Sequence, residues 1–329
     1  MPVKVEQKAA KTTKKTATKK TDSSYTVNCV IKITTEGAKF SSVEEANTYV
    51  THKVQFLDVL GNVFKECIVE DGGHVIYPAP PVVEGYAFVG WDKDCYNIKE
   101  DVTITALYKE GGENNYAGKK FAIIGDSIST FREVIPSGYS CFYPYPTGDT
   151  NDYNQTWWMQ AISTVGMNYC ANASYSGGYV YGTDVTSGTN AERIKALASK
   201  TLGNPDVVII HMGVNDATNK QEKAESFKAS YLQMINEIKS QYPGVKIFVC
   251  TMIAFDSGSP TATSLYNDYV QSIIDIASET DCELIELHKV INFTNLSTYM
   301  MDAKHPNAAG MKAMADEVVE VISKYYKLK

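Results

Sequence analysis

The sequence lacks several features that would place it in a common class at once. None of its seven cysteines lies in a Cys-x-x-Cys pair, and this wide, odd-numbered set argues for reduced thiols and against a metal site. No apolar run approaches the roughly twenty residues that a membrane-spanning helix needs. The N-terminus also lacks the apolar segment of a standard secretory signal. We therefore expect cytoplasmic synthesis, which leaves later association with a virion or a cell surface open.

Positive charge is scarce beyond residue 20. The first twenty residues contain seven lysines and one glutamate and carry a charge of +6, which leaves −13 for the rest of a chain with a formal charge of −7. Such an acidic body argues against nucleic-acid binding by the main part of the protein. Residues 1–24 are mostly Lys, Thr, Ala and Ser and have little to bury. We predict a flexible tail, or an arm that orders on a larger assembly such as a phage particle or a surface structure.

Residues 25–109 are predicted to form a small β-rich domain. Short alternating strands are separated by Gly and Pro, with Phe56, Phe88 and Trp91 as expected core aromatics. A capping box at 42–45 predicts a short helix that ends near Val50. From Val54 to Tyr108, through Gly-Tyr-Ala-Phe-Val-Gly-Trp and Thr-Ile-Thr-Ala-Leu-Tyr, the segment resembles the Listeria–Bacteroides repeat, the internalin B-repeat type of β-grasp-like module. That resemblance implies a stalk or adhesion module without catalytic residues.

Residues 110–116 are predicted to be a linker, and 117–329 a second domain in which strands and helices alternate. Such alternation predicts a parallel sheet that is covered by helices on both faces. The predicted strands are Lys120–Gly125, Met167–Ala171, Asp206–Met212, Val245–Met252 and Glu283–Leu287. The predicted helices are Gln155–Val165, Ala191–Ser199, Lys220–Gln241, Ser264–Glu279 and Ala308–Tyr326.

Four polar stretches lie near the predicted ends of strands or before the last helix. The first is Gly125-Asp126-Ser127, directly after a buried strand, and the others are 172–178, 213–216 and 302–307. Loops at the carboxyl ends of parallel strands meet at one edge of the sheet, where such folds bind ligands. We therefore expect these stretches to converge on one site.

Their side chains fit the needs of acyl transfer. Ser127 can act as the nucleophile, His305 as its general base, and Asp302, three residues earlier, as the group that orients the imidazole. The N–H groups of Ser127 and Gly177 and the amide of Asn215 can form an oxyanion hole. Asp126 is interpreted as structural, and Asn215 and Asp216 are also candidates for capping the following helix.

The four stretches, in this order, resemble the conserved blocks of the SGNH/GDSL hydrolase family over about Lys119 to Tyr325. The resemblance implies a flavodoxin-like, three-layer α/β/α fold, a serine esterase mechanism, and no metal or other cofactor. One departure is the long insert between Ser129 and Gln155, which is expected to reshape the acyl pocket.

The loops of the predicted site are rich in tyrosine, and amphipathic rings suit stacking on sugars. We predict an O-acetyl esterase whose partner is an ester substrate, an acetylated carbohydrate. Tyrosine-rich loops equally suit protein contacts. Two other functions therefore stay open: a lipid or thioester acyl hydrolase, and a virion or cell-surface decoration that displays the esterase domain on glycans. The tyrosines are Tyr139, Tyr143, Tyr145, Tyr153, Tyr175, Tyr179 and Tyr181.

Overall fold

The computed structural model describes residues 15–19, 25–29, 50–110 and 118–327, with side chains for 50–110 and 118–325. The chain divides into two compact units. One includes the strands before Pro78 together with Trp91–Leu107, and the other holds Ala79–Gly90 and the chain from Tyr108 onward. The predicted helix that ends near Val50 lies outside the described residues.

Two short strands precede residue 50 in the chain. β1 (Lys15–Lys19) pairs antiparallel with β2 (Tyr25–Cys29). The sequence predicts no regular structure for β1, because this segment offers no apolar side chain larger than alanine. Two threonines among its five residues fit a strand, and backbone pairing does not require a hydrophobic core.

Residues 51–110 contain a four-stranded sheet with the strand order β4-β3-β6-β5, in which β3 runs antiparallel to β4 and parallel to β6. Phe56 is fully buried, and the rings of Tyr77 and Trp91 lie against it or against each other. Phe88, expected in this core, is instead grouped with the second unit, where its ring meets Tyr108 edge-on. The strands are β3 (Thr51–Leu57), β4 (Val63–Glu70), β5 (Tyr86–Trp91) and β6 (Val102–Glu110).

The second unit is built on a five-stranded parallel sheet with the order β11-β10-β9-β7-β8. Strand β9 is buried along its whole length, and β7 is buried from Phe121 to Gly125, as expected for a sheet covered on both faces. β8 lies on one side of β7, whereas β9, β10 and β11 follow one another on the other side. The order in which strands are added to the sheet therefore reverses at β7. The strands are β7 (Lys120–Gly125), β8 (Asn168–Asn172), β9 (Val207–His211), β10 (Lys246–Cys250) and β11 (Glu283–Ile285).

Helices cover this sheet in two layers, which confirms the predicted flavodoxin-like α/β/α class. α1 packs against α7, and α3 packs against α4. The buried face of α3 is formed by Phe227, Tyr231, Met234, Ile235 and Ile238, which recur at helical spacing. The helices are α1 (Trp157–Val165), α2 (Ala191–Lys195), α3 (Ala224–Gln241), α4 (Pro260–Glu279), α5 (Leu287–Val290), α6 (Leu296–Tyr299) and α7 (Ala308–Lys327).

Several predicted boundaries are wrong, among them the end of α2, which is Lys195 and not Ser199. α4 begins at Pro260 and not at Ser264, because Ser259 accepts a hydrogen bond from the N–H of Ala262 and proline suits the first helical position. α3 begins at Ala224, since the segment before it forms a π-helix, Asp216–Lys220. The predicted end of β11 at Leu287 instead opens α5.

Candidate active site

Ser127 lies in a tight turn directly after β7. The Oδ1 of Asp126 accepts a hydrogen bond from the N–H of Ile128 at 3.0 Å and starts a single 3-10 turn, Ser127–Ser129. A Cβ on Gly125 would lie 2.6 Å from the Oγ of Ser129, so only glycine fits there. This turn places Ser127 at the carboxyl edge of the sheet, at the point where the strand order reverses. The residue is 9% exposed.

His305 reaches Ser127 from the loop before α7. Its Nε2 lies 2.8 Å from the Oγ of Ser127, and its Nδ1 lies 2.8 Å from the Oδ2 of Asp302. The Oδ1 of Asp302 also accepts the backbone N–H groups of Lys304 and His305, at 2.8 and 2.7 Å. The spacing of three residues therefore folds into a turn that holds the carboxylate against the imidazole. The structure thus brings together all three side chains of the expected triad.

The environment of this triad shifts both titrating groups. Burial lowers the pKa of His305 below its ordinary value, although Asp302 acts in the opposite direction. Burial acts to raise the pKa of Asp302, but hydrogen bonds from the N–H of Lys304 and from His305 outweigh it and leave the pKa lowered. At neutral pH the pair is therefore a carboxylate beside a neutral imidazole, the protonation state in which Nε2 can accept a proton.

The expected oxyanion donors lie at the same edge of the sheet. Gly177 follows β8 with φ +81°, and the space beside its Cα is open. The N–H groups of Ser127 and Gly177 donate to no acceptor within the part of the chain that the structure describes. The Nδ2 of Asn215 donates to the carbonyl of Gly178 at 2.9 Å, which leaves its second hydrogen for a ligand. Asn215 makes no capping bond, so its proposed role as a helix cap is wrong.

A buried arginine that sequence reasoning missed joins the loops of this site. Arg193, on α2, is 0% exposed. It donates from Nε to the carbonyl of Ala173 at 3.1 Å and from a terminal nitrogen to the carbonyl of Gly125 at 2.7 Å. It also donates to the carbonyl of Thr186. A signal for it exists in the sequence, because Arg132 and Arg193 are the only arginines among 31 basic residues.

Two buried carboxylates lie near these loops. Burial, together with the charge of Asp216, raises the pKa of Asp126 to about 7, although the hydrogen bond from the N–H of Ile128 acts to lower it. Burial also raises the pKa of Asp216 to about 6, although its oxygens accept the N–H groups of Val180 and Tyr181. Asp216 therefore secures the loop after β8, which replaces the helix-capping role considered for it. Asp126 has the structural role expected.

The tyrosine-rich loops divide into buried and accessible rings. Tyr143 and Tyr153 are 1% and 4% exposed and are therefore structural, contrary to a role in sugar stacking. Tyr139 and Tyr175 face each other with ring centroids 5.1 Å apart. The rings that solvent reaches most easily are those of Tyr145 and Tyr181, at 42% and 39%.

Two kinds of feature are absent from the described residues. Within them, no group of three or more His, Cys, Asp or Glu side chains is arranged to hold a metal ion. None of their helices combines the length and the apolar character needed to cross a bilayer.

The chain was compared with known proteins. A protein from Bacteroides uniformis ATCC 8492 described as a GDSL-like lipase is 25% identical over 63% of this chain and 97% of its own, with a TM-score of 0.46. A member of the lipolytic G-D-S-L family from Veillonella parvula DSM 2008 is 15% identical over 62% and 98%, with a TM-score of 0.47. A family two carbohydrate esterase from Clostridium thermocellum, solved with cellohexaose, is 16% identical over 68% of each chain, with a TM-score of 0.47.

The family comparison covers most of the second unit. No curated protein matches the chain. Residues 119–322, which include Ser127, Gly177, Asn215, Asp302 and His305, match the family described as GDSL-like lipase/acylhydrolase. The chain therefore belongs to the GDSL-like lipase/acylhydrolase family.

Proposed function

We propose that this protein is a serine ester hydrolase that works through an acyl-enzyme on Ser127. The observation that carries the proposal is the unbroken hydrogen-bond series from the Oγ of Ser127 through His305 to the carboxylate of Asp302. In the first step Oγ attacks the ester carbonyl carbon while Nε2 of His305 takes the hydroxyl proton. The imidazolium then returns that proton to the departing alcohol, which leaves the acyl group on Oγ.

Water completes the cycle at the same atoms. Nε2 of His305 removes a proton from water, the hydroxide attacks the acyl carbon, and the proton returns to Oγ as the free acid leaves. Negative charge develops on the carbonyl oxygen in both steps. The N–H groups of Ser127 and Gly177 and the free hydrogen of Asn215 are the donors for that charge, and one such donor typically contributes about 10²–10³ in kcat.

The substrate that we propose is an O-acetylated carbohydrate. Tyr145 and Tyr181 present the most accessible rings of the tyrosine-rich loops, and such rings stack on sugar faces while their hydroxyls bond sugar oxygens. The ring of Tyr139, in the insert, also pairs with that of Tyr175, which lies two residues before Gly177. These rings are the evidence that the alcohol part of the substrate is a carbohydrate. That the acyl group is acetyl is tested by the experiment below.

A substrate panel tests the proposal. Acetate release from acetylated xylan and acetylated chitooligosaccharides is compared with hydrolysis of p-nitrophenyl esters of two to sixteen carbons and of acyl-CoA. We expect acetate release and a preference for the shortest esters. Ser127→Ala sets the background, and Ser163→Ala, a serine on α1 that donates to a carbonyl of its own helix, is the matched control. Preference for long acyl chains or acyl-CoA, with no acetate release, would show a lipid or thioester hydrolase instead.

A further inference from the structure

The insert between β7 and α1 places an aromatic ring directly on the imidazole of His305. The ring centroids of Phe142 and His305 are 3.5 Å apart, and their planes differ by 10°. The ring of Tyr145 in turn stacks on Phe142, with centroids 5.1 Å apart and planes that also differ by 10°. Three nearly parallel rings therefore extend from the base of the triad into solvent.

The segment that carries Phe142 is fixed to the turn of Ser127. The N–H of Phe142 donates to the Oγ1 of Thr130 at 2.9 Å, and that hydroxyl donates to the carbonyl oxygen of Ser127 at 2.8 Å. The ring of Phe142 stacks on His305, and His305 is hydrogen-bonded to Ser127. Phe142 is therefore connected to Ser127 by two routes, one through Thr130 and one through His305. A displacement of Phe142 would therefore disturb both the turn that carries Ser127 and the imidazole of His305.

The next residue fixes the same segment to the loop of His305. Tyr143 is buried, and its hydroxyl donates to the carbonyl oxygen of Pro306 at 2.7 Å. Its ring also meets His305 edge-on, with centroids 6.4 Å apart. The insert therefore contacts the imidazole with two rings: that of Phe142 stacks on it, and that of Tyr143 meets it edge-on.

An imidazole on a loop needs such support, because two hydrogen bonds in one plane leave tilting out of that plane unopposed. The carboxylate partner does not provide it, since the side chain of Asp302 is 43% exposed. A flat ring 3.5 Å away opposes the tilt and removes water from one imidazole face. The charged neighbours of His305 are Asp302 and Lys304, on its own loop, and Tyr143 is the titratable group that faces it from the insert.

We propose that Phe142 is a positioning residue that holds His305 in the plane of its bonds to Ser127 and Asp302, and that Thr130 sets the place of Phe142. The inference rests on the proposed function, because it needs His305 as the base. It assigns to the insert a role in base alignment in addition to any contact with substrate.

Steady-state kinetics with p-nitrophenyl acetate from pH 5 to 9 test the inference on the full chain. Phe142→Leu is expected to lower kcat by about 10–100-fold, the scale of a slightly misplaced reacting group. KM should change by less than about threefold, because the ring acts in the chemical step. Exposure of the imidazole to water raises its pKa, so the acid limb of kcat/KM should move to higher pH. Phe142→Tyr keeps the ring and should retain most of kcat and the original limb.

Two further variants separate alignment from folding. Thr130→Val removes the hydroxyl bridge and should lower kcat in the same direction, whereas Thr130→Ser keeps it and should not. Phe64→Leu is the matched control, since Phe64 is a half-buried ring stacked on Trp91 in the other unit. It should leave kcat and the pH profile unchanged.

The outcomes against the inference are distinct. A higher KM at constant kcat would make Phe142 a substrate contact only. A lower melting temperature with an unmoved pH profile would make it a packing residue only. If Ser127→Ala keeps full activity, the proposed function fails. If Ser127→Ala is inactive while Phe142→Leu matches the wild type, this inference alone fails.

Discussion

The guanidinium of Arg193 donates to the carbonyl oxygen of Gly125 at 2.7 Å, two residues before Ser127. The same carbonyl accepts the N–H of Tyr175 at 3.1 Å, two residues before Gly177. One buried cation on α2 therefore holds the turn of the nucleophile and the loop of an oxyanion donor in a fixed relation. Burial lowers the pKa of Arg193 to about 10, which still leaves it charged at neutral pH.

Substitution of Arg193 should affect both stability and activity. Arg193→Met removes the three hydrogen bonds that the guanidinium donates to carbonyl oxygens. We therefore expect a loss of about 2–4 kcal/mol in the free energy of unfolding. Lysine keeps the charge but not the fork of donors, so Arg193→Lys should also be destabilised. Urea unfolding measures this loss, and kcat on p-nitrophenyl acetate should fall in parallel. Lys195→Met, an exposed cation on the same helix, should stay within about 0.5 kcal/mol of the wild type.

Asn215 should contribute to the transition state more than to substrate binding. Asn215→Ala removes one donor for the developing negative charge, so we expect kcat to fall about 10²–10³-fold with little change in KM. Asn204→Ala, an exposed residue that precedes β9 at the opposite edge of the sheet, is the control. Equal loss in both variants would point to general destabilisation and not to an oxyanion hole.

The pH profile should report His305. Because the pKa of His305 lies below its ordinary value of roughly 6.5, the midpoint of the acid limb of kcat/KM should lie below about pH 6.5, where the imidazole gains a proton. Asp302 raises that pKa, so Asp302→Asn should move the acid limb to lower pH. The same variant loses the anion that stabilises the imidazolium, and its plateau should fall about 10²–10⁴-fold. An acid limb that moves upward would contradict this arrangement.

Asp126 should link stability to pH. Its pKa of about 7 in the folded state exceeds the ordinary value of roughly 4. The contribution of this proton to the free energy of unfolding is therefore full below about pH 4 and is lost as the pH rises through about 7. Asp126→Asn keeps an acceptor for Ile128 and removes this titration. Between pH 5 and 8 the wild type should lose about 2–3 kcal/mol relative to the variant in urea unfolding.

A control variant isolates that effect. Asp316→Asn removes an exposed carboxylate on α7 that pairs with Lys312. Its free energy of unfolding should follow that of the wild type at every pH, because an exposed ion pair contributes little. If both variants diverge from the wild type alike, the pH dependence does not originate at Asp126.

The sequence was sufficient for the parts of the site that local chemistry determines. Gly125-Asp126-Ser127 after an apolar strand predicts the turn, and Asp302 three residues before His305 predicts their contact. Alternating strands and helices predict the layers. These signals arise within a few residues of each other, or from a periodicity that burial imposes.

Two contacts between distant segments were not predictable. Phe142 lies in an insert without periodicity, and its place against His305 depends on the hydrogen bond that its N–H donates to the Oγ1 of Thr130. Arg193 sits in a five-residue helix, and its guanidinium donates to three carbonyls, one at the end of β7 and two in the loop between β8 and α2. The stalk or adhesion role, the docking arm and the resemblance of residues 54–108 to the Listeria–Bacteroides repeat stay predictions.

Covalent labelling tests the central claim most directly. A serine-reactive p-nitrophenyl phosphonate is incubated with the wild-type protein, and peptide mass spectrometry locates the adduct. The account predicts one phosphonyl group on the peptide that contains Ser127, acquired in step with the loss of esterase activity and much more slowly in His305→Ala. Complete inhibition with the adduct on another residue, or full activity with Ser127 labelled, would contradict it.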